Sequence, residues 1–304
     1  MVVLSVGHAN VDLTLFVREI PAPDSDVRAL ATMIGSGGAA SNFAIALSRM
    51  GEEVAVLAIV GDDLLGELYM RSMREAGVDV SHVKVVRGEI TGLVTVINEV
   101  GKQRRMISTP GANARMTPDF IEEKREVIES AELVHVASLE VENAEAVARI
   151  RKDLSWDPGV KIARLGAERL REVFSSTRRL FVSRVEARVL TGEEDPRSAA
   201  EILSSMGPEE VVIKLGREGA ASLISGEFMV VEALRPMVVD TTGAGDVFDA
   251  AYTVARRRGY SPESSLKLAN SAAAIKLSRP GTTRGIPNWD EVVTVACMFY
   301  GELK

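Results

Sequence analysis

Residues 238–248 read VVDTTGAGDVF, which is a short apolar run, a glycine-rich turn and then an acidic residue. Val238 and Val239 end a β-type run and a helical pattern follows Ala250, so the turn opens a helix. The free N–H groups at a helix N-terminus bind anions, and glycines let a phosphate approach the backbone closely. Asp246, in the first helical turn, can accept a proton from a hydroxyl held beside that anion. The stretch predicts phosphoryl transfer to an alcohol, although a turn whose Asp246 only caps the helix fits the same residues.

The composition is that of a globular enzyme, with 46% hydrophobic and 26% charged residues in a chain of 304. The net charge of −7, without an offsetting basic block, excludes nucleic acid as an expected partner. A single cysteine, Cys297, excludes an intramolecular disulfide, and three scattered histidines do not form a zinc-binding pattern. We find no signal peptide and no membrane-spanning apolar run, so we expect a cytoplasmic protein without a membrane partner.

Helical and strand patterns alternate from Thr117 onward, which predicts a mostly parallel sheet with helices on both faces. Among these helices, the pattern predicts single ones over Pro118–Ser130 and over Gly166–Phe174. We find no internal repeat, low-complexity tract or long linker. The whole chain, residues 1–304, is therefore expected to form one α/β domain.

Short strand-like runs of mixed polarity lie outside this alternation, at Thr14–Val17 and Val27–Ile34. A further hairpin pattern covers residues 91–108, with glycine in its loop. We expect these segments, from about 13–35 and 91–108, to form a small separate β-sheet that covers the main one as a lid.

The segment Gly35–Ala40, GSGGAA, matches the dinucleotide-binding spacing G-x-G-x-x-A, which would indicate a dehydrogenase. That fingerprint should follow the first strand of a βαβ unit, with an acidic residue roughly 20 positions later. Here the segment follows a lid-like run. The acidic residues after the next strand pattern, Val54–Val60, lie more than about 20 positions beyond the segment. The match is poor, and the absence of G-x-x-x-x-G-K-[ST] excludes a P-loop kinase.

The glycines in that segment have another use, because bare backbone lets a small ligand lie against the chain. Gly37 and Gly38 are followed one helical turn later by Asn42, whose amide offers a donor and an acceptor to sugar hydroxyls. Asn10 and Asp12 follow the first strand, at the edge of the sheet where α/β proteins bind ligands. Each residue alone also fits a cap or a turn.

Motifs along the chain resemble those of the ribokinase-like carbohydrate kinase (PfkB) family, from Val2 to about Ile286. The matching pieces occur in the family's order: Gly7–Asp12, Gly37–Asn42, Gly61–Gly66, Gly77-Val78, Gly111–Asn113, Ser183–Glu186, Lys214–Gly219, Asp240–Asp246 and Asn270. The resemblance implies a ribokinase-like three-layer fold with a β-sheet lid, and ATP as phosphoryl donor.

The resemblance also implies roles for individual residues. Asp246 would be the general base, and the amides of Gly243, Ala244 and Gly245 would form the anion hole. The sugar pocket would contain Asn10, Asp12, Gly37, Gly38, Asn42 and Glu140, although Glu140 fits a solvated acid at a helix start equally well. The nucleotide would contact Ser183, Lys214, Gly216, Gly219, Thr241 and Asn270.

The same resemblance implies cations and a second subunit. Glu186 would organise Mg²⁺ through waters, with Ser183 standing where the family has asparagine. Asp240 and Thr242 resemble the start of the family's monovalent-cation loop, which implies K⁺. Lids of this type often pair between subunits, which implies a homodimer through the lid.

The substrate is the least determined property. Lys214 replaces the family's threonine, and Ala39 replaces the lysine typical of ribokinases. The segment Asp157–Lys161 resembles the D-P-N-x-R element of fructokinases and keto-deoxy-gluconate kinases, but it lacks both the asparagine and the arginine, which counts against an acidic sugar. A ribose- or fructose-like sugar is favoured, and a nucleoside is the alternative. Arg104 and Arg105 fit either a reader of a substrate phosphate or carboxylate, or a charged hairpin tip. A non-catalytic sensor on the same fold is disfavoured by Asp246.

Overall fold

The computed structural model describes residues 2–102, 104–281, 283 and 285–304. Its strands are, in chain order, β1 (Val3–Gly7), β2 (Asn10–Val17), β3 (Ala31–Gly37), β4 (Val54–Gly61), β5 (Val83–Val86), β6 (Gly92–Glu99), β7 (Arg105–Thr109), β8 (Leu133–Ala137), β9 (Leu154–Asp157), β10 (Thr177–Ser183), β11 (Glu210–Lys214), β12 (Ala220–Ile224) and β13 (Glu227–Val231).

Nine of these strands form the main sheet, in the order β13-β12-β11-β10-β9-β8-β1-β4-β5. All neighbours pair in parallel except β11–β12 and β12–β13, which are antiparallel. The central strands β1 and β4 are buried along their whole length, because helices cover both faces of a parallel sheet. The predicted mostly parallel sheet is confirmed, and it ends in an antiparallel hairpin at one edge.

The helices form a layer on each face of this sheet. They are α1 (Ala39–Arg49), α2 (Leu64–Glu75), α3 (Pro118–Glu123), α4 (Arg125–Ser130), α5 (Val141–Ile150), α6 (Gly159–Ala163), α7 (Arg171–Phe174), α8 (Arg184–Thr191), α9 (Pro196–Ser205), α10 (Ala244–Arg257), α11 (Pro262–Leu277) and α12 (Trp289–Tyr300). Helices α1, α2 and α10–α12 share one hydrophobic core, and α3–α9 share the other. This is the three-layer arrangement that the resemblance implied.

Two predicted helices were wrong in extent. The helix expected over Pro118–Ser130 is interrupted at Lys124, whose N–H bonds to Ile121 O at 3.0 Å in the tightened i−3 pattern of a helix end. In the other, Gly166 does not begin a helix. It has a φ of 85°, in the left-handed region that ends helices, and regular helix resumes only at Arg171.

The remaining four strands form a separate sheet in the order β3-β2-β6-β7, which confirms the predicted lid. Strands β2 and β6 pair in parallel, with Asn10 opposite Gly92, and β3 and β7 are antiparallel edges. The strand expected over Val27–Ile34 begins only at Ala31 and continues to Gly37, so the glycine segment ends a lid strand and leads directly into α1. Within the described ranges, no helix has the length and apolar character needed to cross a membrane.

Candidate active site

The predicted site residues gather at one edge of the main sheet, where parallel strands present their carboxyl ends. Strands β9, β10 and β11 end there on Asp157, Ser183 and Lys214, respectively. His8 follows the end of β1, and Glu140 follows the end of β8. Lid strand β2 begins at the same edge, directly after β1. This is the edge at which open α/β sheets bind ligands.

The glycine-rich turn opens helix α10 as the sequence predicted. Gly243 caps the helix with φ 74° and ψ 3°, a left-handed conformation that favours glycine. The first intrahelical hydrogen bond runs from Val247 N to Gly243 O at 3.0 Å, so the amides before it are not used by the helix. Ala244 N makes only a long contact of 3.5 Å with Thr241 O. The turn therefore presents backbone donors where an anion would bind.

A hydrogen bond joins the two glycine motifs across the site. Asn42 Nδ2 in α1 donates to Asp246 Oδ2 in α10 at 2.8 Å. Burial raises the pKa of Asp246 to about 6, and the hydrogen bond from Asn42 opposes that shift. The Asn42 Oδ1 atom is buried and has no hydrogen-bond partner in the described part of the chain. A ligand hydroxyl donating to that oxygen would lie next to Asp246.

The Asp12 side chain occupies the space that a side chain at position 37 would need. A Cβ atom on Gly37 would fall 2.0 Å from Asp12 Oδ1, so a side chain at this position would displace the carboxyl group. Burial raises the pKa of Asp12 to about 7, and the negative charge of Asp246 adds to the shift. A cavity of about 220 Å³ adjoins Asp12, and it is lined also by Thr14, Thr32, Met33, Ile34, Gly35, Gly281 and Thr283.

Asn10 is held by a residue that the sequence argument had not assigned to the site. Asn113 Nδ2 donates to Asn10 Oδ1 at 2.9 Å and to Ala9 O at 2.9 Å, and Asn113 Oδ1 accepts from Ala9 N. A Cβ on Gly92 would approach both amide side chains within 2.3 Å. A Cβ on Gly38 would approach His8 O at 2.3 Å. Asn113 belongs to the motif Gly111–Asn113 that matches the family, and this match was the one indication in the sequence that Asn113 helps to form the site.

Glu140 has a partner that no local pattern indicated. His8 Nε2 lies 2.7 Å from Glu140 Oε2, and Lys161 Nζ lies 3.6 Å from its other oxygen. Burial alone would raise the pKa of Glu140, but the His8 hydrogen bond and charge lower it to about 2. The carboxylate is half-exposed at the start of α5, so the structure is compatible with both predicted roles, substrate contact and solvated acid.

A second cavity, of about 630 Å³, lies at the nucleotide end that the resemblance implied. Gly216 and Asn270 both line it, together with Arg217, Glu218, Ala233, Leu234, Arg235, Pro236, Val238, Ala273, Ala274 and Leu277. Asn270 Nδ2 donates to Val231 O and Glu232 O, each at 3.2 Å. Gly219 packs closely against the backbone of this region, since a Cβ there would fall 1.9 Å from Val231 O. Thr241 is exposed at the surface of the turn.

Ser183 and Glu186 form the capping box of α8. Ser183 Oγ accepts from Glu186 N at 3.2 Å, and Ser183 N donates to Glu186 Oε2 at 2.6 Å. Burial raises the pKa of Glu186, and the charge of Asp157 adds to it. Among the described residues, no group of three or more histidine, cysteine, aspartate or glutamate side chains is arranged to hold a metal ion directly.

Lys214 does not extend along the nucleotide cavity. Its ammonium lies between Asp157 Oδ2 at 2.8 Å and the Asp249 oxygens at 2.9 and 3.1 Å. We call Lys214, Asp157 and Asp249 the ion trio. A Cβ on Gly245 would lie 3.6 Å from Lys214 Nζ, so the trio lies directly behind the anion-binding turn. Burial alone would lower the pKa of Lys214, but the two carboxylates raise it.

The lid reaches the glycine-rich turn through one arginine. Arg104, next to lid strand β7, donates from Nη1 to Thr242 Oγ1 at 3.1 Å. Its charge acts on both Asp12 and Asp246 and opposes part of the rise in pKa that burial causes in each. Arg104 therefore lies at the site and is not an isolated charged residue at a hairpin tip.

A carboxylate at a glycine-rich helix N-terminus, facing polar groups under a β-sheet lid, defines the class of kinases that phosphorylate an alcohol group. Comparison with known proteins then identifies the family. The family model described as "pfkB family carbohydrate kinase" matches residues 2–289, and the chain belongs to this family. It is therefore a carbohydrate kinase, a phosphotransferase with an alcohol group as acceptor.

Individual relatives extend over nearly the whole chain. An ATP-dependent ribose-1-phosphate kinase of Halopiger xanaduensis is 30% identical, and the alignment covers 95% of this chain and 96% of the relative. A nucleoside kinase of Methanothermobacter thermautotrophicus is 28% identical over 95% of this chain and 94% of the relative. The structure of Arabidopsis thaliana ribokinase complexed with ribose and ATP superposes with a TM-score of 0.87, at 25% identity, covering 97% of this chain and 98% of that one.

Proposed function

We propose that the protein transfers the γ-phosphate of ATP to a hydroxyl of a ribose- or fructose-like sugar, with Asp246 as general base. The hydrogen bond from Asn42 to Asp246, at 2.8 Å, carries the proposal. It connects α1, which begins at the sugar-pocket glycines, to α10, which begins at the anion-binding turn. A hydroxyl bound to Asn42 is then beside both a base and an anion site.

The chemistry follows from these positions. Asp246 takes the proton of the hydroxyl whose oxygen attacks the γ-phosphorus, and the bond from that phosphorus to the bridging oxygen breaks to release ADP. The amides of Gly243, Ala244 and Gly245 stabilise the charge on the transferred group. The lid closes over the sugar and excludes water, which prevents hydrolysis of ATP.

Mg²⁺ fits this site through water-mediated contacts. Glu186 uses one oxygen, Oε2, to cap α8, which leaves its second oxygen for a metal-bound water. Mg²⁺ retains several waters and is bound in such sites by one or two carboxylates plus substrate phosphates. When bound it neutralises phosphate charge, and Glu186 would orient it.

The pH dependence should report Asp246. A general base must be ionised, so kcat/KM should fall about tenfold per pH unit below the pKa of about 6 and level off above it. Asn42→Ala removes the hydrogen bond that lowers this pKa and should move the midpoint upward. The measurement is ADP release from about pH 5 to about pH 8 with saturating ATP. A midpoint that stays in place in the variant would contradict this coupling.

The small cavity beside Asp12 favours a sugar over a nucleoside. At about 220 Å³ it is small, and although Met33 and Ile34 line it beside polar groups, its described lining residues include no aromatic ring on which a base would stack. The similarity to a nucleoside kinase keeps a nucleoside as the alternative. ADP release measured with sugars, sugar phosphates and nucleosides separates the two, and a response to nucleosides alone would reject the sugar.

Arg104 favours a second candidate, a sugar that already carries a phosphate. Its guanidinium contacts the turn at Thr242 and faces Asp12, so it is positioned to bind an anionic substituent at the sugar end. One similar protein is a ribose-1-phosphate kinase. Arginine binds phosphate in a bidentate manner, which lysine or glutamine cannot reproduce.

Arg104→Gln tests this candidate. If the substrate carries a phosphate, the variant should raise KM for the sugar phosphate by roughly tenfold or more, as expected for a lost charge-assisted hydrogen bond. KM for the unphosphorylated sugar should change little. Arg105→Gln is the matched control, because Arg105 is the next residue and is exposed in β7. Equal effects of Arg104→Gln on both substrates would reject a phosphate-reading role.

We also propose a homodimer formed through the lid. Strand β7 is exposed along its whole length and presents Met106 and Ile107, and Ile34 is exposed on the opposite edge strand β3. Unpaired edges with apolar side chains are surfaces that proteins usually cover. Light scattering in solution measures the mass, and a monomer at micromolar concentration would exclude this assembly.

A further inference from the structure

One buried charge near the glycine-rich turn has no role in the mechanism described so far. Lys276, in the last turn of α11, is fully buried, and within the described residues its Nζ atom has no hydrogen-bond partner. Its closest ionic neighbour is Asp240 Oδ2, at 4.0 Å. Burying an ammonium group costs free energy unless opposite charge compensates it, so the position calls for a reason beyond packing.

Asp240 is the residue that the family resemblance marked as a ligand of a monovalent cation. Its Oδ1 accepts from Thr242 N at 2.9 Å, and its Oδ2 accepts from Gly281 N at 3.0 Å. The carboxylate thus ties the start of the glycine-rich loop to the segment after α11. The last carbonyl of α11 contributes as well, because Leu277 O accepts from Val239 N and Asp240 N.

Among the residues that the structure describes, those around Asp240 do not favour a second cation. The Lys276 ammonium lies 4.0 Å from the Asp240 carboxylate. Burial lowers the pKa of Lys276, whereas the charges of Asp240 and Asp246 and the negative end of the α11 dipole favour the ammonium form. Arg104, which contacts Thr242, adds another positive charge on the lid side. A bound K⁺ would lose the electrostatic advantage of Asp240 and face repulsion from Lys276.

We propose that the Lys276 ammonium takes the place of the monovalent cation beside Asp240 and is a positioning residue for the anion-binding turn. The loop from Asp240 to Gly243 leads directly into α10, so a charge that neutralises Asp240 holds the turn amides in place. The chain would then need no K⁺. The inference rests on the proposed kinase function only for its effect on rate, since cation binding is measurable without turnover.

Thermal unfolding and ADP release should be compared in potassium chloride and in tetramethylammonium chloride at equal ionic strength. The wild type should show the same midpoint and the same kcat in both salts. Lys276→Ala opens space beside Asp240, so in tetramethylammonium its kcat should fall roughly tenfold to a hundredfold, as expected for a misplaced catalytic turn. Potassium should restore much of this loss and raise the unfolding midpoint of the variant, because it binds the folded state.

Two further variants separate positioning from packing. Lys276→Met keeps the length of the side chain and fills the space, so its lower kcat should not respond to potassium. Lys267→Ala removes a lysine from the same helix, where Lys267 pairs with Glu263 at the surface, and should match the wild type in both salts. The proposal is overturned if potassium stabilises or activates the wild type, if Lys276→Ala is fully active in tetramethylammonium, or if its loss is not restored by potassium. The unfolding data decide the cation question even if no sugar proves to be a substrate.

Discussion

Asp246→Asn should lower kcat at least about a hundredfold, with little change in sugar or ATP binding. Asparagine has nearly the same shape and can still accept the hydrogen bond from Asn42 Nδ2, which is 2.8 Å long in the wild type. It cannot take up the hydroxyl proton, so the barrier to attack on the γ-phosphate rises. The turn amides and the nucleotide cavity remain, and a residual rate should persist. Initial rates of ADP release with saturating ATP measure the effect.

Asp119→Asn is the matched control for this substitution. Asp119 is also an acidic residue in the first turn of a helix, α3, but it is exposed, whereas Asp246 is partly buried within the site. It should leave kcat unchanged. Retention of more than about a tenth of the activity by Asp246→Asn would remove the general-base assignment, because such bases contribute at least a hundredfold.

Lys214→Met should produce the largest loss of stability, about 3–5 kcal/mol in the free energy of unfolding. The substitution leaves Asp157 and Asp249 facing each other in the interior without their shared cation. In the wild type, the raised pKa of Lys214 means that its contribution is fully present at neutral pH and is lost only as the pH rises through that value. Urea denaturation at neutral pH measures the difference.

The pH dependence of that loss identifies its cause. In the wild type the Lys214 charge opposes the effect of burial and holds the pKa of Asp157 below its usual value. Burial already raises the pKa of Asp249 well above its usual value in the wild type. Without Lys214, both carboxyl groups resist ionisation, so the deficit should shrink as the pH falls from neutral toward about 4, where both become protonated. Combining Lys214→Met with Asp249→Asn should recover part of the stability at neutral pH.

Lys267→Met removes the same charge from a partly exposed pair with Glu263, one helical turn away in α11, and should cost no more than about 1 kcal/mol. If Lys214→Met is equally mild, or if its deficit is independent of pH, the ion trio does not stabilise the fold in the way described.

Local chemistry made much of the fold predictable. Glycines at Gly37, Gly38 and Gly243 mark backbone that side chains would obstruct, and apolar periodicity indicated the sheet, its helices and the lid strands. The predictions of local structure that were wrong concern the limits of elements, at Lys124, at Gly166 and at the start of β3. The spacing of apolar residues does not show where the last turn of a helix tightens. In a sequence, a glycine that ends one helix also looks the same as a glycine that precedes the next helix.

The sequence by itself was enough to recognise the family, to locate the glycine-rich turn that opens a helix and to single out Asp246 as the proposed base, because each of these depends on motifs whose residues lie within a few positions of one another. Only the tertiary structure decided the charge partners. Lys214 lies 57 positions from Asp157 and 35 from Asp249. Strands β11 and β9 bring Lys214 and Asp157 to a common edge of the sheet, and helix α10, which packs in the adjoining core, brings Asp249 to them. The contacts of Glu140 with His8, of Arg104 with Thr242 and of Lys276 with Asp240 likewise join segments that are distant in the sequence. Electrostatic interactions depend on distance in space and on burial, which chain folding sets and local sequence does not.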